Sequence, residues 1–273
     1  MALVLNEEQA MLKEAAAGFL TEKAGVAQLR ELRDSGNEQG FSGAVWGEMA
    51  QMGWAGIAIP EEFGGLGYGY TGLGLVLEQA GRNLSASPLQ STVLVAATLI
   101  GELGSEEQKQ QLLPAIASGE LLVTLALQEG SHHAPLQSMA SAVRDGDEFV
   151  LNGSKLMVLD ASSAAKFIVI ARTGGDAGDE QGLSAFLLDA GTAGLTAARR
   201  SVVDSRIVGA RALDNVRIGS DNLLGAEGQA WPGLSRTLDI ANIGLAAELL
   251  GLSAEAFERT VAYLKERKQF DRV

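Results

Sequence analysis

The sequence contains no cysteine, and that absence alone excludes disulfides, thiolate nucleophiles and cysteine-bound zinc. A cysteine-free chain suits a reducing compartment, and the cytoplasm is the expected location. Histidine is limited to the adjacent pair His132 and His133. Neighbouring residues point in different directions and no H-x-x-x-H spacing accompanies them, so no metal site is expected and the pair reads as part of a surface loop. No serine sits in a G-x-S-x-G elbow, which removes support for hydrolase chemistry. No run of about 18 purely apolar residues occurs, so no membrane span is expected. The opening stretch MALVLNEEQAMLKEAAAGFL lacks a basic n-region and reads as a helix of the fold, not a signal peptide.

What is present is a long, apolar and acidic chain. Its 273 residues are 47% hydrophobic, enough for one large domain or two to three small ones. The net charge of −13 is spread unevenly: −9 over residues 1–123, −4 over 124–228 and 0 over 229–273. An acidic body has nothing to replace phosphate counterions, so nucleic acid is excluded as a general partner. Most of the acidic excess reads as solvated helix faces.

Three textures follow one another. Residues 1–123 read as helical. Asn6 with Gln9 forms a capping-box pattern that opens a helix to about Thr21. Further helices are expected over Ser42 to Met52, over Tyr70 to Asn83, over the almost wholly apolar TVLVAATLIGELG, and from Ser105, where Gln108 repeats the capping pattern. Residues 124–228 change period. LLVTLAL, SAV, EFVLNGSKLMVL, KFIVIAR, LSAFLLD, GLTAARR and ARALDNVRI are short β-rich runs, with Asp145-Gly146, Asn152-Gly153 and Gly174-Gly175 as turn pairs. The expectation is a compact antiparallel sheet, because no helical crossovers are available for a parallel one.

Residues 229–273 return to helix. Leu234, Leu238, Ala241, Leu245, Leu249, Leu252 and Ala256 form one apolar seam, and Leu250, Phe257, Val261 and Leu264 a second stripe. Gly244 and Gly251 sit inside this helix at a cost of about 1 kcal/mol each against alanine, which is tolerable where another helix approaches closely. A helix apolar on more than one face belongs in a bundle. Its neighbours are expected in another chain or in a C-terminal segment beyond Val273. The tip AYLKERKQFDRV gathers Arg267, Lys268 and Arg272 around Phe270. A guanidinium there can complement the helix C-terminal dipole or clamp a phosphate. GYGYTG, Gly67 to Gly72, matches G-x-G-x-x-G, but PEEF rather than a strand precedes it and Glu61 and Glu62 would repel a pyrophosphate. A tight loop between helices is the reading it supports.

Four stretches taken together resemble one family. GWAGIAIPEEFGGLGYGYTGLGLVLEQAGRNL is similar to the N-terminal helical domain of acyl-CoA dehydrogenases, with their P-E-E-x-G-G-x-G loop. DGDEFVLNGSKLMVLDASSAAKFIVIART resembles their β-domain hairpin, VRIGSDNLLGAEGQAW their link into the last helical domain, and ERKQFDR their E-R-x-x-F-G-[RK] signature. Order and spacing agree along the whole chain.

The resemblance implies an α+β architecture: an N-terminal helical domain over 1–123, a middle antiparallel β-barrel-like domain over 124–228, and over 229–273 the first helix of a C-terminal bundle whose remainder this chain lacks. It implies an FAD-dependent oxidoreductase of lipid β-oxidation type that desaturates an acyl-CoA thioester between its α and β carbons. Electron-transfer flavoprotein would take the electrons, and the assembly would be a homo- or hetero-oligomer.

Residue by residue, the resemblance marks a divergent site. The family's T-E-P-x-x-G-S-D strand end reads QEGSHHAP here: Gln128 replaces Thr, Glu129 remains and Gly130 replaces Pro. Leu125 and Leu127 are placed against the flavin ring. The K-x-W-I-T-N hairpin reads KLMVLD, with Met157 in place of the Trp and Leu159 in place of the Thr. Arg267, Gln269 and Phe270 match positions that hold the FAD of a neighbouring subunit, with Asp271 a departure from Gly. Leu238 and Asn242 are the expected acyl-CoA contacts, Asn242 standing where many members carry an Arg. Most members carry the catalytic glutamate downstream of the part matched here, and some at the position of Ala241. Alanine cannot take a proton, so the catalytic residue stays unassigned and little or no turnover is expected from this chain alone. Glu129 matches a structural position and Glu248 none that is catalytic. Two alternatives accompany the dehydrogenase reading: a non-catalytic scaffold subunit of a heteromeric acyl-CoA dehydrogenase, and a flavin-dependent oxidase or monooxygenase on the same fold.

Overall fold

The computed structural model describes residues 4–204 and 206–270. The first helix is set by its cap. The Asn6 side chain accepts from the Gln9 N–H and the Gln9 side chain from the Asn6 N–H, and helix α1 follows over Glu7–Lys23. The same box at Ser105 and Gln108 starts α6, Glu106–Ala117. Between them lie α2 (Val26–Asp34), α3 (Gly43–Gln51), α4 (Gly69–Asn83) and α5 (Ala97–Leu103). Helix α2 has no counterpart among the helices expected from the sequence. It buries no residue and its Gly25 cap offers no side-chain acceptor, so neither an apolar stripe nor a cap signals it.

The apolar run before α5 departs from the α-helical expectation. Leu89–Ala96 is a π-helical segment that runs straight into α5. Such segments are uncommon and recur at functional sites. Of the GYGYTG glycines, Gly67 lies in the loop entering α4 while Gly69 and Gly72 belong to the first turn of α4, so the tight-loop reading holds for Gly67 only; the short 3-10 turn Glu61–Phe63 and not a strand precedes them. The dinucleotide reading therefore lacks its strand.

The described residues form eight strands, β1 (Val123–Ala126), β2 (Ser141–Asp145), β3 (Glu148–Leu159), β4 (Lys166–Arg172), β5 (Leu183–Asp189), β6 (Leu195–Ser201), β7 (Ile207–Gly219) and β8 (Leu223–Leu224). They form one sheet in the order β6-β7-β3-β2-β4-β5-β8, with β1 on β4. Two features correct the sequence reading. The sheet is mixed, because β1 runs parallel to β4 and β2 meets β4 through one parallel pair. Asn152-Gly153 is no hairpin turn: β3 continues through it, with a bulge that shifts the β3–β7 register between Leu151 and Gly153. Gly153 has φ 143°, and a methyl group there would fall 2.7 Å from the Ala140 Cβ.

Helix α7 spans Trp231–Glu266. Its buried residues are Gly233, Leu234, Thr237, Gly244 and Gly251, so of the apolar seam Leu234 alone is buried. Leu245, Leu249, Leu250, Leu252, Phe257 and Leu264 are exposed. The glycines let α7 cross α4 at backbone contact, as close approach of two helices requires. An 18-residue window of α7 has mean hydropathy 1.3 and is 11% buried, so length and composition alone would let it cross a bilayer. Three apolar clusters complete the packing: one among the N-terminal helices, one inside the sheet around Phe149 and Phe186, and one where α5 and α6 meet β4 and β5.

Candidate functional site

The π-helical segment, the end of β1, the end of β3 and the start of α7 converge on one cavity of about 190 Å³. Leu125 and Leu127 come from β1 and the residue just after it. Leu156, Met157 and Leu159 come from β3, Ser91 and Val95 from the π-helical segment, and Leu238 from α7. The end of β3 is shaped for this. The ladder to β7 breaks between Lys155 and Val158. Leu156 N–H leaves it to donate to the Gln128 carbonyl at 2.6 Å. Met157 adopts a left-handed φ of 53° and is 48% exposed. A non-glycine residue in that region costs free energy, and such residues cluster at binding sites.

Of the residues expected at the site, Leu125, Leu127, Gln128, Met157, Leu159 and Leu238 line this cavity together. Asn242 is exposed one turn further along α7 and is not among the lining residues. Arg267 and Phe270 lie beyond the far end of α7, about 43 Å from Leu238 at 1.5 Å per residue. Arg267 stacks on the Tyr263 ring at 5.4 Å, and Phe270 is 95% exposed. One copy of the chain therefore cannot bring the arginine tip and the cavity to the same small ligand. Asp271 and Arg272 lie outside the described residues.

Three residues the sequence reading passed over belong to the site. His133, read as loop, lines the cavity and is the one titratable side chain among its lining residues. Ser91 lines it from the π-helical segment and donates to Asp160 Oδ2 at 2.5 Å. Asp160 follows Leu159 with φ 49°. Its burial pushes the carboxyl up to about 6, against the Ser91 hydrogen bond and the charge of Arg206. The signal for Asp160 was in the sequence, since it stands where the K-x-W-I-T-N pattern has Asn. Nothing in the sequence placed Ser91.

A second cavity of about 280 Å³ adjoins the first, sharing Leu127, Gln128 and His133. Glu129, one of its lining residues, is paired with a lysine buried behind it. Lys155 is fully buried and donates to Glu129 Oε1 at 2.5 Å, to Ser138 Oγ at 3.0 Å and to the Leu127 carbonyl at 3.2 Å. Glu129 in turn accepts from the Met139 N–H at 2.8 Å and the Ala140 N–H at 3.1 Å. Burial pushes the Glu129 carboxyl up, but the Lys155 charge and these hydrogen bonds outweigh it and leave it below its ordinary value. Burial draws the Lys155 ammonium down despite Glu129. Glu129 thus fastens the 130–138 loop to the sheet, which agrees with a structural role. Among the described residues, no three His, Asp or Glu side chains gather as a metal site would need.

Comparison with known proteins places this geometry in a family. Residues 6–120 match the family described as acyl-CoA dehydrogenase, N-terminal domain, and residues 126–216 match acyl-CoA dehydrogenase, middle domain. The chain belongs to the acyl-CoA dehydrogenase family. It is 33% identical over 237 residues to the short-chain specific acyl-CoA dehydrogenase of Clostridium acetobutylicum, which covers 82% of this chain and 61% of that protein. It is 33% identical over 274 residues to the probable acyl-CoA dehydrogenase YngJ of Bacillus subtilis, covering 97% of this chain and 70% of that one. The butyryl-CoA dehydrogenase structure from Megasphaera elsdenii superposes with a TM-score of 0.88 at 26% identity, over 100% of this chain and 72% of that one. The α+β architecture of N-terminal helices, middle sheet and C-terminal helix is that of the family.

Proposed function

We propose that this chain forms the flavin-facing part of an acyl-CoA dehydrogenase that desaturates an acyl-CoA thioester. The observation that carries the reading is the convergence of Leu125, Leu127, Met157, Leu159 and Leu238 on one cavity beside a left-handed break in β3. The residues fit a flat aromatic group such as the FAD ring system by packing: Leu125, Leu127 and Leu159 make an apolar wall, and Met157 has room to lie over it. The fit is poorer in polar contacts. Leu159 brings no hydroxyl, and the Gln128 amide donates to the Gly130 carbonyl at 3.0 Å. Bound FAD supplies a two-electron acceptor for the hydrogen leaving the acyl β-carbon. The chain's part is to hold the ring by its faces, to place the acyl group between Leu238 and the sheet, and to keep water from that contact. Arg267, Gln269 and Phe270, too distant for their own cavity, serve the FAD of a second copy or of a related subunit. Electrons would pass on to electron-transfer flavoprotein.

The test is reduction of the purified protein's flavin by a panel of acyl-CoA thioesters, read with a dye acceptor. Bleaching by at least one thioester supports the proposal, and none by any counts against it. Oxygen consumption without a thioester would indicate an oxidase instead.

A second reading rests on a specific observation. His133 is the only titratable side chain among the residues lining the cavity, and Ala241 stands where some relatives carry their base. A scaffold subunit that lends Arg267 to an active partner needs no base. A homo-oligomer carrying its own yellow cofactor excludes it.

A further inference from the structure

The cavity is apolar except for a few polar groups, and two of these have their hydrogens committed elsewhere. Ser91 Oγ–H donates to Asp160 Oδ2 at 2.5 Å, and Thr124 Oγ1–H donates to the Leu159 carbonyl at 2.8 Å. Both residues line the cavity, and both are almost wholly buried. A hydroxyl has one hydrogen and two lone pairs. With the hydrogen given away, each can offer a ligand only an acceptor.

Asp160 enforces this choice at Ser91. A carboxylate accepts and cannot donate, so the Ser91 hydrogen must point at it. Backbone hydrogen bonds hold Asp160 in place: its N–H donates to the Ile207 carbonyl at 3.1 Å and its carbonyl accepts from the Ser163 and Ala164 N–H groups at 3.0 Å. Arg206 lies across a small crevice from it, with Gln90 in the same lining. Arg206 and Gln90 both bond Glu248 of α7. An asparagine at 160, as in the hairpin pattern this segment resembles, could donate its own N–H to Ser91 and free the hydroxyl hydrogen for a ligand acceptor in the cavity, in competition only with the Pro88 carbonyl at 3.4 Å. The difference is one of hydrogen-bond direction, with almost no change in volume.

We infer that the Ser91–Asp160 pair sets the hydrogen-bond polarity of the cavity and selects acyl groups that carry a hydroxyl or N–H donor. This deepens the acyl-thioester reading and rests on it. A ligand carbonyl facing Ser91 meets lone pairs with a carboxylate behind them. A ligand hydroxyl instead completes a chain from ligand to Ser91 to Asp160 in which each bond strengthens the next. His133 and Gln128 also line the cavity, but each can both donate and accept, His133 according to its tautomer and Gln128 through its second amide hydrogen and its carbonyl, and neither supplies this discrimination.

The test compares two CoA thioesters that differ only in a ring hydroxyl or a ring ketone, 4-hydroxycyclohexanecarboxyl-CoA and 4-oxocyclohexanecarboxyl-CoA, by calorimetric titration of the full chain as purified. The alcohol should bind about tenfold tighter, the size of one well-placed hydrogen bond against an unpaired acceptor. Ser91→Ala should shrink the preference to less than about twofold, and Asp160→Asn should shift it toward the ketone. Equal affinities in the native chain, or a preference untouched by both variants, would overturn the inference. If neither thioester binds, the acyl-CoA reading is what fails. The polarity claim is then decided by NMR titration with cyclohexanol and cyclohexanone: a preference for the alcohol that Ser91→Ala removes upholds it. Equal responses, or none to either probe, overturn it.

Discussion

Gly251 of α7 lies on the backbone of Glu78 in α4, so close that a methyl group at Gly251 would fall 1.8 Å from the Glu78 carbonyl oxygen. The contact is reciprocal. A methyl group on Gly81 of α4 would fall 1.9 Å from the Glu248 carbonyl oxygen of α7. Two helices that cross through glycine on both sides are fixed in position by backbone, and Leu238 at the cavity inherits that precision from α7.

Gly251→Ala should therefore destabilise the protein. Helix propensity alone predicts a gain of about 1 kcal/mol. Prying apart two backbones costs more, about 2 to 3 kcal/mol for an overpacked contact. Gly18 in α1 is the control, because nothing lies within 4 Å of a methyl group placed there. Gly18→Ala should gain about 0.5–1 kcal/mol. Urea denaturation of both variants reads the opposite signs, and equal signs would show that the crossing is looser than described.

Asp160→Asn should stabilise the chain at neutral pH. The folded-state value of about 6 lies above the ordinary 3.8, so between those values the folded protein holds the proton more firmly than the unfolded chain. Stability from this group is present at low pH and falls as pH rises toward 6. Above that, the ionised carboxylate costs up to about 3 kcal/mol, at 1.36 kcal/mol per unit. Asparagine carries no such cost. Urea midpoints at pH 4 and pH 7 should show the variant's advantage growing with pH. An advantage independent of pH would mean that Asp160 is compensated by more than Ser91 and Arg206.

Glu129→Gln should destabilise strongly, because it strands Lys155, which is fully buried. Removing one partner of a buried ion pair costs about 3 to 5 kcal/mol. The double variant Glu129→Gln with Lys155→Met should recover a good part of that. Amide exchange at Met139 and Ala140, whose N–H groups Glu129 holds, should quicken in both. Unchanged exchange would remove Glu129 from its role in fastening the loop.

These tests fall mostly on features the sequence hid, and the division has a physical cause. Local signals were legible. The boxes at Asn6 and Ser105, and the β runs 148–159, 166–172 and 183–189, depend on neighbours in sequence and appear where expected. Leu125, Leu127, Met157 and Leu159, singled out by family resemblance, line one cavity together. The exposed apolar stripes of α7 and the close approach at Gly244 and Gly251 were legible as well, the first from apolar periodicity without a partner and the second from glycines inside a helix. What failed needed tertiary information. Asn152-Gly153 looked like a turn, because a bulge and a turn call for the same residues. His133 lies in an exposed loop as expected, and what stayed hidden is its place beside Leu127 and Met157, which follows from the path of residues 128–138.

Met157→Trp tests the cavity as a flavin site. The family pattern has Trp at this position, and Met157 is 48% exposed over the cavity with φ 53°. A larger ring can therefore extend over the opening without displacing the buried Phe149, Leu151 or Val158. Stability should stay within about 0.5 kcal/mol, as for surface substitutions away from packed features. A ring laid on a flat aromatic ligand adds about 0.5–1.5 kcal/mol beyond the area it buries, which predicts FAD binding tightened by up to about tenfold. Quenching of FAD fluorescence on titration into apoprotein measures it. Tighter binding with unchanged stability places the flavin ring under residue 157. Unchanged affinity in a folded variant would mean that these leucines enclose something other than a flavin.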